Sequence, residues 1–317
     1  MSTVLILLGP TGVGKTEVSI LLAKALDTDI ISADSMQIYR HMDIGTAKPT
    51  PEQRAEVTHH MIDIIDPRES FSTGKYIEAV LPIIDGLVRK GKTPIIVGGT
   101  GLYIKAMTRG IFSGPSADWS LREELRTLEE EEPGTLYSHL RALDPEAVQK
   151  ITPNDTRRII RALEVCLKSK RPVSDIQKRL TKPLPYEFLK IGLSRDRSEL
   201  YRIIEDRVDH MVASGLIDEV RRVSEIIRDA PQHSCPDNVP LPSMQAIGYK
   251  EFSHYLNGEM SLDNALRLVK KASKRYAKRQ FTWFRKEEGV HWVDITGIFD
   301  SHTAFDRVNK ILRALLT

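Results

Sequence analysis

The sequence predicts an α/β fold: a mostly parallel sheet flanked by helices, with a helical insertion domain in the middle of the chain. Three observations predict it. Short apolar runs alternate with helical patterns. The first run passes through a glycine-rich turn into a helix. A turn-rich stretch, Phe112 to Asp118, is followed by helical patterns to about Lys170, after which strand character returns.

Val4 to Leu8 is a continuous apolar run ended by Gly9-Pro10, the signature of a strand buried on both faces. Lys15 to Leu26 carries Val18, Leu21, Leu22, Ala25 and Leu26 at helical spacing. Asp29 to Ala33 reads as a second strand, Met61 to Ile65 as a third and Thr93 to Val97 as a fourth, running into Gly98-Gly99-Thr100-Gly101. Pro183 and Pro185 break the chain before Phe188 to Leu193, which rejoins the sheet. Ser198 to Arg228 reads as one or two helices, Asp229 to Pro242 as a loop and Ser261 to Lys286 as one long helix. The expected division is therefore a core at residues 1–112, a helical insertion at 113–185 and completion of the core at 186–317.

The chain has 317 residues, of which 41% are hydrophobic and 28% charged, an ordinary globular composition for two domains. No apolar run approaches the ~18–20 residues of a membrane-spanning helix, and the first residues lack the basic start and cleavage site of a signal peptide. A cytoplasmic protein without membrane contact is expected. Cys166 and Cys235 stand apart, so neither a disulfide framework nor a CxxC site is expected. A net charge of +3 names no partner, but its distribution is uneven. Residues 267–286 hold nine Lys or Arg and no Asp or Glu, interleaved with Tyr276, Phe281, Trp283 and Phe284. Arg267, Lys271, Lys274 and Lys278 recur at spacings of 4, 3 and 4 residues, a cationic ridge suited to a phosphate backbone or to solvent. Leu266, Val269, Ala272, Tyr276 and Trp283 form a second stripe that can face a core. The four glutamates Glu129 to Glu132 read as a solvated helix end.

Gly9, Pro10, Thr11, Gly12, Val13, Gly14, Lys15 and Thr16 satisfy GxxxxGK[ST] between a strand and a helix, which makes the fold P-loop-containing. Glycines let backbone N–H groups turn inward around a di- or triphosphate, Lys15 reaches terminal oxygens, and Thr16 would ligate Mg²⁺. The pattern is shared by ATP-binding and other nucleotide-binding proteins, so it specifies phosphate rather than a molecule. Asp34, at the end of the second strand, suits a general base, a metal carboxylate or a helix N-cap. Gly98 to Gly101 is either a close backbone approach or a tight turn, with the Thr100 hydroxyl at its tip. No Asp-Glu pair follows the fourth strand to polarise an attacking water, so hydrolysis is not expected. Arg157, Arg158 and Arg161 open a helix whose apolar face is set by Ile160, Leu163 and Leu167. Cations there oppose the helix dipole, which suits an external anion or a solvated face. His59-His60 has no ligand set at metal spacing and reads as structural.

In order along the chain, these motifs resemble the bacterial tRNA dimethylallyltransferases, also called tRNA isopentenyltransferases. The similarity runs through Gly9 to Thr16, Ile31 to Tyr39, Met42 to Pro49, His59-His60 with Ile62-Asp63, and Val97 to Tyr103. It continues through Arg158 to Glu164, Ala246 to Tyr249, and Ala277 to Arg285. The resemblance implies transfer of a dimethylallyl group from dimethylallyl diphosphate to N6 of the adenosine 3′ to the anticodon, tRNA position 37, with Mg²⁺ as cofactor. It implies Asp34 as general base and Thr100 as the hydroxyl positioning it. Lys15, Thr16 and Arg207 would hold the diphosphate. It further implies contacts to the tRNA anticodon stem-loop from Asp34, Ser35, Met36, Gln37, Arg122, Arg157, Arg158 and Arg161. Others would come from Gln245, Gly248, Tyr249, Lys250, Lys278, Arg279, Gln280, Trp283 and Arg285. A monomer is expected. The competing readings are a P-loop nucleotide kinase, an RNA-binding NTPase, and an adenylate isopentenyltransferase acting on free nucleotides. The first two require ATP; the last does not require the insertion and the basic strips.

Overall fold

The computed structural model describes residues 2–112, 114–229 and 241–316. Cys235 and most of the loop expected from Asp229 to Pro242 lie outside them. The chain packs as two compact units, residues 1–104 with 185–317, and residues 105–184.

In the first unit, β1 (Thr3–Leu8) leads to α1 (Lys15–Ala25), β2 (Ile30–Ser32), α2 (Pro51–Glu56), β3 (His59–His60), α3 (Thr73–Arg89), β4 (Ile95–Gly98) and α4 (Gly101–Arg109). All but the first residue of β1 are buried, as a central parallel strand covered on both faces requires. The third strand is two residues long and sits just before the run expected at 61–65. Met61 and Asp63 adopt left-handed φ of 64° and 58°, which no strand continues through. His60 Nε2 instead lies 2.9 Å from Asp29 Oδ2 and His59 Nδ1 2.8 Å from the Val57 carbonyl.

The second unit begins inside α4, earlier than the expected residue 113, because Leu184 N donates to the Met107 carbonyl at 2.9 Å and ties the two ends together. It comprises α5 (Trp119–Glu131), α6 (Thr135–Leu143), α7 (Thr156–Ser169) and α8 (Val173–Leu180). The buried face of α7 is Ile159, Ile160, Leu163 and Cys166; Leu167, expected there, is exposed. By period alone Leu167 shares the face of Ile160 and Leu163, but it stands in the last turn of α7.

The chain re-enters the first unit as β5 (Glu187–Ser194), then α9 (Arg197–Ala213), α10 (Leu216–Arg228), α11 (Tyr249–Leu256), α12 (Leu262–Phe284), β6 (Val290–Asp294) and α13 (Ser301–Leu316). Gly215, at φ 98°, separates α9 from α10 and settles the one-or-two-helix question. The sheet order is β3-β2-β4-β1-β5-β6 with every pair parallel. Strands β1, β2 and β4 therefore release their carboxyl ends side by side, where ligands of such sheets bind. On α12 the buried stripe is Ala265, Val269, Ser273, Ala277, Gln280 and Phe284. Trp283, expected to face the core, is 43% exposed. Among the described residues, no helix is long and apolar enough to cross a membrane.

Candidate active site

The P-loop turns as its glycines predict. Gly12 and Gly14 sit at φ 80° and 101°, where a side chain would be strained. Gly14 caps α1 without any side-chain hydrogen bond, so the first amides of the helix face the cavity unspent. Lys15 Nζ donates to the Gly9 and Pro10 carbonyls, both at 2.9 Å. Burial, partly offset by the Asp34 charge, pulls its pKa down to about 8. Arg207 of α9 donates through Nη2 to the Thr11 hydroxyl at 2.7 Å, and burial lowers its pKa as well. The Thr16 side chain lines the cavity and has no hydrogen-bond partner among the described residues.

Asp34 follows β2 directly. Its Oδ1 accepts from Met36 N at 2.8 Å and Gln37 N at 3.3 Å; the residues that follow form a turn rather than a helix, so Asp34 is not a helix N-cap and this oxygen closes the turn. Oδ2 has no hydrogen-bond partner among the described residues and remains available for chemistry. Thr100 acts one residue away: its hydroxyl accepts from Ser35 N at 3.0 Å and donates to Ser35 Oγ at 3.4 Å. Gly98 must be glycine because a Cβ there would meet the Ala33 carbonyl oxygen at 2.3 Å. The loop is thus a close approach between the ends of β4 and β2.

Two cavities open here. One of about 480 Å³ is lined by the P-loop, Lys15, Thr16, Gln37, Lys48 and Gln53. The other, about 280 Å³, is lined by Ser35, Met36, Gln245, Ile247, Gly248, Tyr276 and Arg279. Thr11, Asp34, Thr46, Ala47 and Arg207 border both.

Several residues expected at an RNA surface are engaged inside the protein. Gln280 is buried; its Oε1 accepts from Thr11 N at 2.8 Å and its Nε2 donates to the Gly99 carbonyl at 2.9 Å. It staples α12 to both site loops. Tyr249 is fully buried and its hydroxyl donates to Glu219. The Gln37 amide donates to the Thr46 and Ala47 carbonyls at 3.4 and 3.2 Å, and its oxygen accepts from Ser32 at 2.9 Å. In the second unit Arg122 forms a two-pronged pair with the buried Glu164 carboxylate at 2.9 and 2.8 Å, which Arg161 also joins. Arg158 pairs with Asp155 at 2.6 Å, while Arg157 is exposed. Lys274, expected on the cationic ridge, is paired with Glu205, and the neighbouring Lys270 with Asp209 at 2.7 Å. The exposed candidates that remain on the first unit are Gln245, Lys250, Lys278, Arg279, Trp283 and Arg285. The sequence reading missed Lys48, whose nearly buried ammonium bonds the Tyr39 carbonyl at 2.6 Å, Asp43 at 2.7 Å and Asp63 at 2.5 Å. Only the fold brings those carboxylates to it.

Fold and site together define a P-loop protein in which the cavity lined by the P-loop meets a second cavity at a carboxylate with one free oxygen. A family model described as IPP transferase matches residues 37–287. The tRNA dimethylallyltransferase of Thermodesulfovibrio yellowstonii is 56% identical over 99% of this chain and 98% of its own. That of Thermotoga maritima is 46% identical over 91% of each chain. The structure of the Bacillus halodurans tRNA isopentenylpyrophosphate transferase superposes with a TM-score of 0.71 at 40% identity, covering 99% of this chain and 96% of its own. A eukaryotic dimethylallyltransferase acting on tRNA reaches a TM-score of 0.80 at 28% identity, covering 99% and 80%. This chain belongs to the IPP transferase family, that of the tRNA dimethylallyltransferases.

Proposed function

We propose that this protein transfers the dimethylallyl group of dimethylallyl diphosphate to N6 of the adenosine 3′ to the anticodon in tRNA. The observation that carries the reading is the position of Asp34, with one free carboxylate oxygen, where the phosphate cavity meets the second cavity. In the transfer, the allylic C1–O bond breaks and the pair leaves with the diphosphate. The N6–C1 bond forms, and the N6 proton passes to Asp34 Oδ2. The Lys15 ammonium, the Arg207 guanidinium and the P-loop amides lie where negative charge grows on the leaving group, so they stabilise the transition state more than the ground state. Thr100 holds the backbone after Asp34 and thereby the direction of its carboxylate.

The residues present fit Mg²⁺. The Thr16 hydroxyl is unpartnered, and no group of three His, Cys, Asp or Glu is found among the described residues to enclose the ion. Mg²⁺ commonly takes few protein ligands and the oxygens of a phosphate. Bound there, it would neutralise charge on the diphosphate.

The second cavity would receive the adenine, which must leave its stack to reach Asp34. Lys278, Arg279 and Arg285, exposed on and beside the end of α12 with Trp283, suit the RNA backbone and a base face. Lys278→Ala is expected to reduce the slope of log affinity for the stem-loop against log salt by about 1. Lys274→Ala, whose cation is already paired, is expected to leave the slope unchanged. Filter binding at several salt concentrations distinguishes them, and equal slopes for both variants would return Lys278 to the solvated face. The cytoplasm is the compartment in which this acceptor is met.

The function is tested with Mg²⁺, labelled dimethylallyl diphosphate and an unmodified anticodon stem-loop, without ATP and with AMP as a parallel acceptor. Label in the stem-loop is the expected result. Label in AMP alone would move the assignment to an adenylate isopentenyltransferase, and no transfer to either would reopen the kinase and NTPase readings.

A further inference from the structure

Thr46 and Ala47 line both cavities together with Asp34 and Arg207, and Gly45 lines the second; the loop that carries them, Asp43 to Ala47, contains no regular secondary structure. The amides of its first three residues end on a single buried side chain, while Ala47 N donates to the Ile44 carbonyl at 3.0 Å. Glu219 of α10 is 2% exposed. Its Oε2 accepts from Asp43 N at 2.9 Å and Ile44 N at 2.8 Å, and its Oε1 from Gly45 N at 3.0 Å and from the Tyr249 hydroxyl. Tyr249 completes the grip sterically, since a Cβ on Gly45 would meet its Cε2 at 2.5 Å. A carboxylate is the side chain this arrangement demands. It offers acceptors only, and four donors converge on it; an amide would turn an N–H₂ toward at least one other donor.

We propose that Glu219 is a positioning residue for prenyl transfer, fixing the Gly45–Ala47 wall against which acceptor and allylic group are held opposite Asp34. The inference rests on the proposed function for its kinetic consequence, and on the hydrogen bonds alone for its hold on the wall. Glu219 touches neither cavity, so its effect travels through the backbone. The P-loop is held separately, by Gln280 and Arg207. Loss of the grip should therefore misplace the reactants without dismantling the phosphate cradle, because a displacement of about 1 Å in a reacting geometry is enough to cost ~10²-fold.

The experiment uses the full chain and two variants that loosen the wall by different means. Glu219→Gln removes acceptors, and Gly45→Ala pushes the wall off the Tyr249 ring without touching the buried charge. Both are expected to lower kcat on the stem-loop at least tenfold, with affinity for inorganic pyrophosphate within twofold of the parent. Amide exchange across Asp43 to Gly45 is expected to rise at least tenfold in Glu219→Gln. Unchanged kcat in either folded variant overturns the proposal. So does loss of pyrophosphate affinity in step with kcat, which would make Glu219 a support of the whole fold. If one variant does not fold, the other decides by the same two readings. Failure of the parent protein to prenylate the stem-loop would instead sink the proposed function, and the exchange measurement would still decide whether Glu219 holds the wall.

Discussion

Asp34→Asn should retain its fold and its stem-loop affinity while kcat for prenyl transfer falls by about 10²–10⁴. The asparagine oxygen can still accept from the amides of Met36 and Gln37, so the turn that Oδ1 makes survives. What disappears is the second oxygen, the only part of the residue without a structural task. Asp34→Ala removes the turn as well and should add a loss of stability, because the two amides then lack their acceptor. Single-turnover transfer with saturating labelled donor measures the chemistry directly, and filter binding measures affinity. Equal single-turnover rates for Asp34→Asn and the parent would remove Asp34 as the proton acceptor.

Lys15→Ala should be comparably damaging, lowering kcat by about 10²–10³ through lost stabilisation of the leaving diphosphate. It also brings a pH dependence whose sign the structure sets. Burial holds the free protein's Lys15 near pKa 8, so the cation is present below that pH and lost as pH rises through it. A bound diphosphate favours the ammonium and raises that value. The kcat/KM for the donor, which reports the free protein, should fall up to tenfold per unit above about pH 8. The kcat, which reports the bound complex, should stay flat to higher pH. Lys15→Arg retains a cation across the range and should lose this limb whatever its absolute rate. A parent profile flat to pH 9.5 in kcat/KM would show that Lys15 does not govern donor capture.

The parallel sheet and the phosphate loop were legible because their causes are local. Val4 to Leu8, Gly9 to Thr16 and Lys15 to Leu26 are consecutive, and strand, turn and helix follow from apolar continuity, positive-φ glycines and period. The last strand, β6, gave no comparable signal: Val-His-Trp-Val-Asp is a short edge strand that alternates, and its partner lies a hundred residues earlier at Lys190 to Ser194. The third strand was misplaced for a related reason. Its apolar residues continue past His60, but left-handed Met61 and Asp63 divert the backbone into the loop under Lys48.

The RNA-facing assignments divide on the same line. A cation in a sequence is a candidate for an external anion only until a carboxylate reaches it, and that carboxylate arrives by folding. Glu164 takes Arg122 and Arg161, Glu205 takes Lys274, and Asp155 takes Arg158, whereas Lys278 and Arg157 meet no carboxylate among the described residues. By itself the sequence determined the class of sheet, the glycine-rich turn from β1 into α1 and the identity of the carboxylate at the end of β2, because each is made by neighbours in the chain. Only the tertiary structure decided that Asp34 retains a free oxygen, that Gln280 and Tyr249 belong to the interior, and that Glu219 holds the wall of the site. Those outcomes depend on which distant donors and acceptors share a buried space, where every polar group left unpaired carries a cost.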